Sequence, residues 1–174
     1  MQQHKLFPTL VYTDNVILDI PSMTSFLYNA KQINKRVLIS NRGGWQSQPN
    51  LHIQPQFTPL VNYVQDIFRK NHKLKINIHE MWGNISSKYN YNVVHHHGNF
   101  SDTLSGVYYL QTYNNSGGLA IHSPQDVCIK EYFFPKRGDL ICFSSSLIHS
   151  VEANLEDKDR ISIAFNFQFN QING

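Results

Sequence analysis

Residues 160–169 read Arg-Ile-Ser-Ile-Ala-Phe-Asn-Phe-Gln-Phe. Apolar side chains occupy every second position from Ile161 to Phe169, and small or polar ones lie between them, so the pattern predicts a strand with one apolar face. We expect the apolar face to pack against helices and the other face to line a barrel interior. There Arg160 and Ser162 would form a carboxylate receptor. The alternative is an exposed edge strand whose arginine is solvated.

The segments upstream of this strand indicate the rest of the fold. Two stretches with helical spacing come first, and shorter strand-like segments separated by turns rich in Gly, Pro and Asn follow. This order predicts a mainly β protein, an antiparallel double sheet or jelly roll with one or two N-terminal helices packed on one sheet. The predicted helices are Pro21–Gln32 and Thr58–Asn71, and the predicted strands are Leu74–Ile78, Val93–His97, Leu104–Thr112, Leu119–His122, Val127–Phe134, Asp139–Ser144 and Ile148–Val151.

Composition limits the classes of protein to consider. The 174 residues, of which 41% are hydrophobic and 13% aromatic, predict a single domain over 1–174 with its own core. A net charge of +3 carried by scattered cations does not indicate nucleic-acid binding. No apolar run approaches a membrane span and no signal peptide is recognisable, so we expect a soluble cytoplasmic protein.

A run of three histidines, His95-His96-His97, is the strongest chemical signal. In an extended strand His95 and His97 share a face, and His96 lies on the other. A jelly roll can bring the end of an early strand beside the start of a late one, which would add His149. Three imidazoles on one side of a divalent metal leave the other side open, as in catalytic iron sites. The alternative is a surface histidine tract that binds metals adventitiously.

Several ordered motifs from Met81 to Phe167 resemble one family. That family is the iron(II)/2-oxoglutarate-dependent oxygenases, and in particular a small bacterial and phage branch with a histidine-x-histidine and an "SGVYYL" motif. The motifs are Trp82-Gly83-Asn84, His95-His96-His97, Leu104-Ser105-Gly106-Val107-Tyr108-Tyr109-Leu110, Gly117-Gly118-Leu119, Pro135–Ser144, His149-Ser150-Val151 and Arg160–Asn166.

The resemblance implies a double-stranded β-helix, the cupin-like form of the jelly roll, and a metal site for iron(II). His95 would take the first ligand position and His149 the distal one. His97 stands where the broader superfamily usually has an aspartate, which leaves one more positive charge at the metal. Asp102, the nearest downstream carboxylate, is the alternative third ligand, and we favour His97.

The resemblance also implies a site for the cosubstrate 2-oxoglutarate. Arg160, eleven positions after His149, would bind its distal carboxylate together with Ser162. Alternation lets only one of Tyr108 and Tyr109 face inward, and we favour Tyr108 because Tyr109 shares its face with Val107. Asn84 is a further candidate.

The function implied is a dioxygenase, most simply a hydroxylase, that couples oxidative decarboxylation of 2-oxoglutarate to oxidation of a substrate C–H bond. The substrate would be a small molecule or a peptide of unknown identity. One alternative is a cupin-like metalloprotein that does not use 2-oxoglutarate. Another is a non-catalytic jelly-roll binding protein.

Overall fold

The computed structural model describes residues 9–98 and 102–172. Eleven strands and two helices make up these ranges, with two short 3-10 turns between β3 and α2. In chain order the elements are β1 Val11–Asn15, α1 Ile20–Ile33, β2 Asn41–Arg42, β3 Trp45–Gln46, α2 Thr58–His72, β4 Leu74–Ser86, β5 Tyr91–His95, β6 Thr103–Gln111, β7 Leu119–His122, β8 Lys130–Phe133, β9 Asp139–Ser144, β10 His149–Val151 and β11 Arg160–Gln171.

The strands form two antiparallel sheets that enclose a cavity. The larger sheet has the order β1-β9-β6-β11-β4-β3, and the smaller has the order β2-β5-β10-β7-β8. β11 lies inside the larger sheet, where β4 pairs with one edge and β6 with the other. The mainly β jelly roll with helices on one sheet is therefore confirmed.

The two helices cover the outer face of the larger sheet. Asp19 caps α1 by accepting a hydrogen bond from the Ser22 N–H (3.2 Å), and Pro59 lies in the first turn of α2. Neither helix is long and apolar enough to span a membrane, a finding that holds for residues 9–98 and 102–172. The buried helix residues pack with the apolar face of β11, as predicted, and this core contains Met23, Leu27, Leu60, Val64, Phe68, Ile161, Ile163, Phe165 and Phe167.

Two glycines allow this close packing. A Cβ on Gly83 would lie 2.3 Å from Leu27 Cδ2, and one on Gly106 would lie 2.3 Å from the Phe165 ring. Overpacking at such positions is destabilising because the neighbouring side chains have no room to move. The "SGVYYL" motif therefore has a glycine at position 106 because the Phe165 ring of β11 leaves no room for a side chain there.

Candidate metal centre

Three histidines from two distant segments meet inside the cavity. His95 ends β5, His149 begins β10, and the two are directly paired across the antiparallel ladder. His97 follows two residues later, and its backbone N–H donates to the Ser145 carbonyl (2.9 Å). One ring nitrogen from each of the three histidines lies within 4.8 Å of the others. The structure therefore brings together the three residues that the sequence singled out as metal ligands.

Backbone hydrogen bonds orient two of the rings. Nδ1 of His95 lies 2.7 Å from the Val93 carbonyl oxygen, and Nδ1 of His149 lies 2.9 Å from that of Leu147. Because a carbonyl oxygen can only accept, Nδ1 carries the proton in both rings and Nε2 keeps its lone pair. This tautomer, held by a backbone acceptor, is the one that metal-binding histidines commonly adopt.

Burial keeps the rings neutral. It lowers the pKa of His149 to about 3, with a further contribution from the neighbouring His95, and it lowers the pKa of His97 to about 4. The pKa of His95 is also lowered, again mainly by burial. Near neutral pH the three imidazoles are therefore unprotonated, as metal coordination requires.

These shifts predict that the metal-free protein loses stability in acid. The unfolded chain takes up a proton at each of these histidines below about pH 6.5, whereas the folded protein does so only at lower pH, so the free energy of unfolding falls as the pH drops. For His149, which is 4% exposed, the expected loss is about 2 kcal/mol between pH 7 and pH 5. Urea unfolding of the metal-free wild type and of His149→Gln at both pH values measures it. If the free energy of unfolding changed equally with pH in the two proteins, His149 would not be a buried imidazole that resists protonation.

The histidines face a cavity of about 410 Å³ between the sheets. Its floor includes the polar face of β11, so Arg160, Ser162, Ala164 and Asn166 all line it, as the alternation predicted. This volume lies in the usual range for small-ligand sites.

Arg160 is buried at one end of this cavity, with 3% of its surface exposed. Its Nη1 donates to the Ser116 carbonyl and to the Glu152 carbonyl (3.0 Å). Burial lowers its pKa, but a guanidinium stays protonated in proteins. Among the described residues no carboxylate forms an ion pair with it. The Glu152 carboxylate counteracts this lowering of the Arg160 pKa from a distance but forms no ion pair with it, so the buried guanidinium can still take an anion as a direct partner.

Ser162, Asn84 and Tyr109 lie next to Arg160 on the cavity wall. Ser162 on β11 is paired with Asn84 on one side and with Tyr109 on the other. Burial raises the pKa of Tyr109, so its hydroxyl is neutral and can donate a hydrogen bond. The predicted positions of Ser162 and Asn84 thus coincide with the arginine end of the cavity.

The choice of Tyr108 over Tyr109 is wrong. Tyr108 is fully buried in the core beneath the helices, where its hydroxyl donates to Val16 O (2.8 Å) and accepts from Leu18 N–H (3.2 Å). The apolar neighbour Val107 was a misleading guide, because the cavity wall is itself partly apolar and includes Val107.

The other candidates in this region lie outside the histidine cluster. Asp102 is exposed, and its carbonyl accepts from the Phe169 N–H (3.0 Å). His96 is exposed as well, and its Nδ1 accepts from the Gly98 N–H (3.1 Å). Neither side chain belongs to the cluster formed by His95, His97 and His149.

Trp82 and Glu80 are among the cavity-wall residues that sequence reasoning missed. The Trp82 ring lies 5.4 Å from the His97 ring, and the nearby Glu80 carboxylate accepts a hydrogen bond from Asn166. Both share the face of β4 that carries Asn84 and Ser86, with a spacing of two residues. Their even spacing from the candidate Asn84, by two and four residues, is the sequence feature that points to this face of β4.

Comparison with known proteins supports one family. A family model described as "Putative 2OG-Fe(II) oxygenase" matches residues 80–166, which is half of the chain. The match includes the three histidines of the cluster and Arg160. No curated protein sequence matches the chain.

Solved structures share the fold at low sequence identity. HygX from Streptomyces hygroscopicus, solved with nickel and 2-oxoglutarate, is 13% identical, with a TM-score of 0.68 over 92% of this chain and 83% of that one. A Pseudomonas putida prolyl-4-hydroxylase is 13% identical, with a TM-score of 0.64 over 95% and 94% of the two chains. SnoN, an α-ketoglutarate-dependent epimerase of nogalamycin biosynthesis, is 11% identical, with a TM-score of 0.72 over 92% and 78%. These likenesses establish the fold.

Proposed function

This chain belongs to the 2OG-Fe(II) oxygenase family, whose cofactors are iron(II) and 2-oxoglutarate, and on that premise we propose that it hydroxylates its substrate. The single observation that carries the proposal is the convergence of His95, His97 and His149 in the cavity that also holds Arg160. Membership of the family gives the reaction class, and hydroxylation is the simplest outcome within it.

The donor set fits a divalent iron ion. Burial keeps the three imidazoles neutral, and backbone carbonyls orient two of them. Neutral imidazoles are suitable ligands for iron(II). We assign the ligand positions to His95, His97 and His149. With His97 in place of a carboxylate the centre keeps one more positive charge, which favours an anionic ligand beside it.

The arginine end of the cavity fits the distal carboxylate of 2-oxoglutarate. The Arg160 guanidinium would neutralise this carboxylate, while the Ser162 and Tyr109 hydroxyls and the Asn84 amide, all on the cavity wall, are placed to hydrogen-bond it. Two backbone carbonyls already hold the Arg160 side chain in place, so it would not have to move to bind this carboxylate.

The spacing along β11 agrees with this arrangement. Trp82, which contacts His97, is paired with Ala164, and Ala164 is four residues from Arg160. At about 3.3 Å per residue the histidines and the Arg160 backbone are separated by about 13 Å along the strand. A guanidinium side chain and a five-carbon diacid together can bridge such a gap.

The chemistry itself belongs to the cofactors. When bound, iron(II) and 2-oxoglutarate supply activation of dioxygen through oxidative decarboxylation of the cosubstrate to succinate and carbon dioxide. The chain holds the cosubstrate and excludes water, for which the apolar wall formed by Val107, Leu119 and Phe143 is suited. The substrate is a small molecule or a peptide.

Succinate formation tests the reaction class without the true substrate. Protein loaded anaerobically with iron(II) and 2-oxoglutarate should form succinate slowly after dioxygen is admitted, and the zinc-loaded protein should form none. Absence of succinate from folded, iron-loaded protein would contradict the proposal. Hydroxylation itself predicts that extracts of small molecules and peptides yield a product containing one atom from isotopically labelled dioxygen, whereas a product without it would indicate another outcome.

A further inference from the structure

A chain of hydrogen bonds holds one carboxylate at the end of the cavity opposite Arg160. Ser145 Oγ and Ser105 Oγ lie 2.9 Å apart, and Ser105 Oγ donates to Asn166 Oδ1 (2.8 Å). The Asn166 Nδ2 then donates to Glu80 Oε2 (2.9 Å). Because a carboxylate can only accept, the amide N–H of Asn166 faces Glu80 and the amide oxygen faces Ser105. The exposed Glu80 side chain is thereby oriented by residues that are buried.

The register of the sheet places this carboxylate beyond the histidines. Glu80 is paired with Asn166, whereas Trp82, which contacts His97, is paired with Ala164. Glu80 therefore lies two residues, or about 7 Å along the strand, past the level of the histidines and away from Arg160. The cosubstrate assigned above occupies the other side, so this end remains for the substrate.

Glu80 is also the single acidic side chain among the described residues that line the cavity. The ion pairs found in the described ranges involve Asp66 and Asp157 with exposed cations, and none of them involves Glu80. The cavity thus has a fixed cation at one end and a carboxylate without a cationic partner at the other. Such a carboxylate gains most from a ligand that brings its own positive charge.

The surroundings of Glu80 are apolar and aromatic. Trp82 lies two residues along the same face of β4, and Pro49, whose carbonyl accepts from the Met81 N–H (3.0 Å), lines the same cavity. A carboxylate next to apolar surface matches a cationic head on an apolar stem, and the indole can add a favourable cation–π contact.

We propose that the Glu80 end of the cavity recognises an ammonium or guanidinium group on an apolar stem, carried by the substrate. Identifying that ligand as the substrate rests on the proposed function, but the recognition itself does not. Glu80 is accordingly assigned as a residue that determines substrate charge, with Asn166 as the residue that positions it.

Binding of two matched probes tests this proposal. Hexylammonium and hexanol share an apolar stem and differ in charge, and titration followed by protein NMR gives the dissociation constant of each. The measurement is made anaerobically, with and without iron(II) and 2-oxoglutarate, so a protein that fails to bind the cofactors still reports on Glu80. The wild type should bind hexylammonium about tenfold more tightly than hexanol. The largest shift changes should fall at Glu80 and the Trp82 indole.

Two variants complete the test. Glu80→Gln removes the charge but keeps an oxygen that can accept from Asn166, and it should bind the two probes equally. Glu131→Gln is the matched control, since Glu131 is an exposed residue of β8 outside the cavity, and it should keep the wild-type preference. Equal binding of both probes by the wild type, or an unchanged preference in Glu80→Gln, would overturn the proposal. So would weaker iron(II) binding by Glu80→Gln, which would assign the carboxylate to the metal.

Discussion

Replacing His149 with alanine is expected to weaken iron(II) binding by more than about a hundredfold and to abolish succinate formation. Loss of a residue that only orients a ligand typically costs metal affinity 10–100-fold, so loss of a ligand itself costs at least as much. His149 is one of three ring nitrogen donors within 4.8 Å of one another, so its loss would leave the ion with two protein ligands. Anaerobic equilibrium dialysis measures the affinity.

His96→Ala is the matched control for this substitution. It removes an imidazole from the same histidine run, but that ring is exposed and lies outside the cluster of donors. We expect wild-type iron(II) affinity from His96→Ala and an unchanged fold from both variants in circular dichroism. A folded His149→Ala protein that binds iron(II) as tightly as the wild type would exclude His149 as a ligand.

Replacing Arg160 is expected to separate cosubstrate binding from metal binding. Truncating one partner of a buried charge pair usually costs about 2–5 kcal/mol, so Arg160→Ala should raise the dissociation constant for 2-oxoglutarate by roughly a hundredfold or more. Iron(II) affinity should stay the same, because the guanidinium is distant from the histidines along β11. Calorimetric titration of the iron-loaded protein under anaerobic conditions measures both constants.

Two further variants make the Arg160 result specific. Arg160→Lys keeps the charge but lacks the planar fork, and we expect it to recover part of the lost affinity. Arg69→Ala, on the exposed surface of α2, should behave as the wild type. A cupin-like protein that does not use 2-oxoglutarate would show no effect of any of these changes. Unaltered 2-oxoglutarate affinity in folded Arg160→Ala would therefore favour that alternative.

The sequence predicted the helices and strands in which the spacing of apolar residues matches the side that is buried in the core. β11 alternates because one face packs against the helices and the other lines the cavity, and both helices were located to within two residues. The second half of β4 was missed because both of its faces are buried. Met81 and Ile85 belong to the core, whereas Trp82 lines the cavity, so no simple apolar–polar alternation marks residues 81–86.

The shortest strands could not be predicted from their own residues. β2 and β3 have two residues each and exist as strands because Asn41 pairs with Asn92 and Trp45 with Ile85. Such pairing depends on a partner far along the chain, which a local pattern does not contain. β1 was missed as well, and its five residues form an edge of the larger sheet against β9.

The candidate site was predictable at the residues whose type and spacing indicate a specific chemical role. The histidine run and the arginine at the start of β11 are recognisable because few other roles require those residue types at that spacing. Which tyrosine faces the cavity was not predictable, since Tyr108 and Tyr109 are both buried and differ only in what covers them. Glu80 could not be recognised either, because its role depends on Asn166 across the sheet.

A crystal structure of the protein loaded anaerobically with iron(II) and 2-oxoglutarate would show whether the three histidines and Arg160 form one cofactor site. We expect one iron ion bonded to ring nitrogens of His95, His97 and His149, with the distal carboxylate of 2-oxoglutarate against the Arg160 guanidinium. An ion bound elsewhere, or a cosubstrate that leaves Arg160 without a carboxylate, would contradict it.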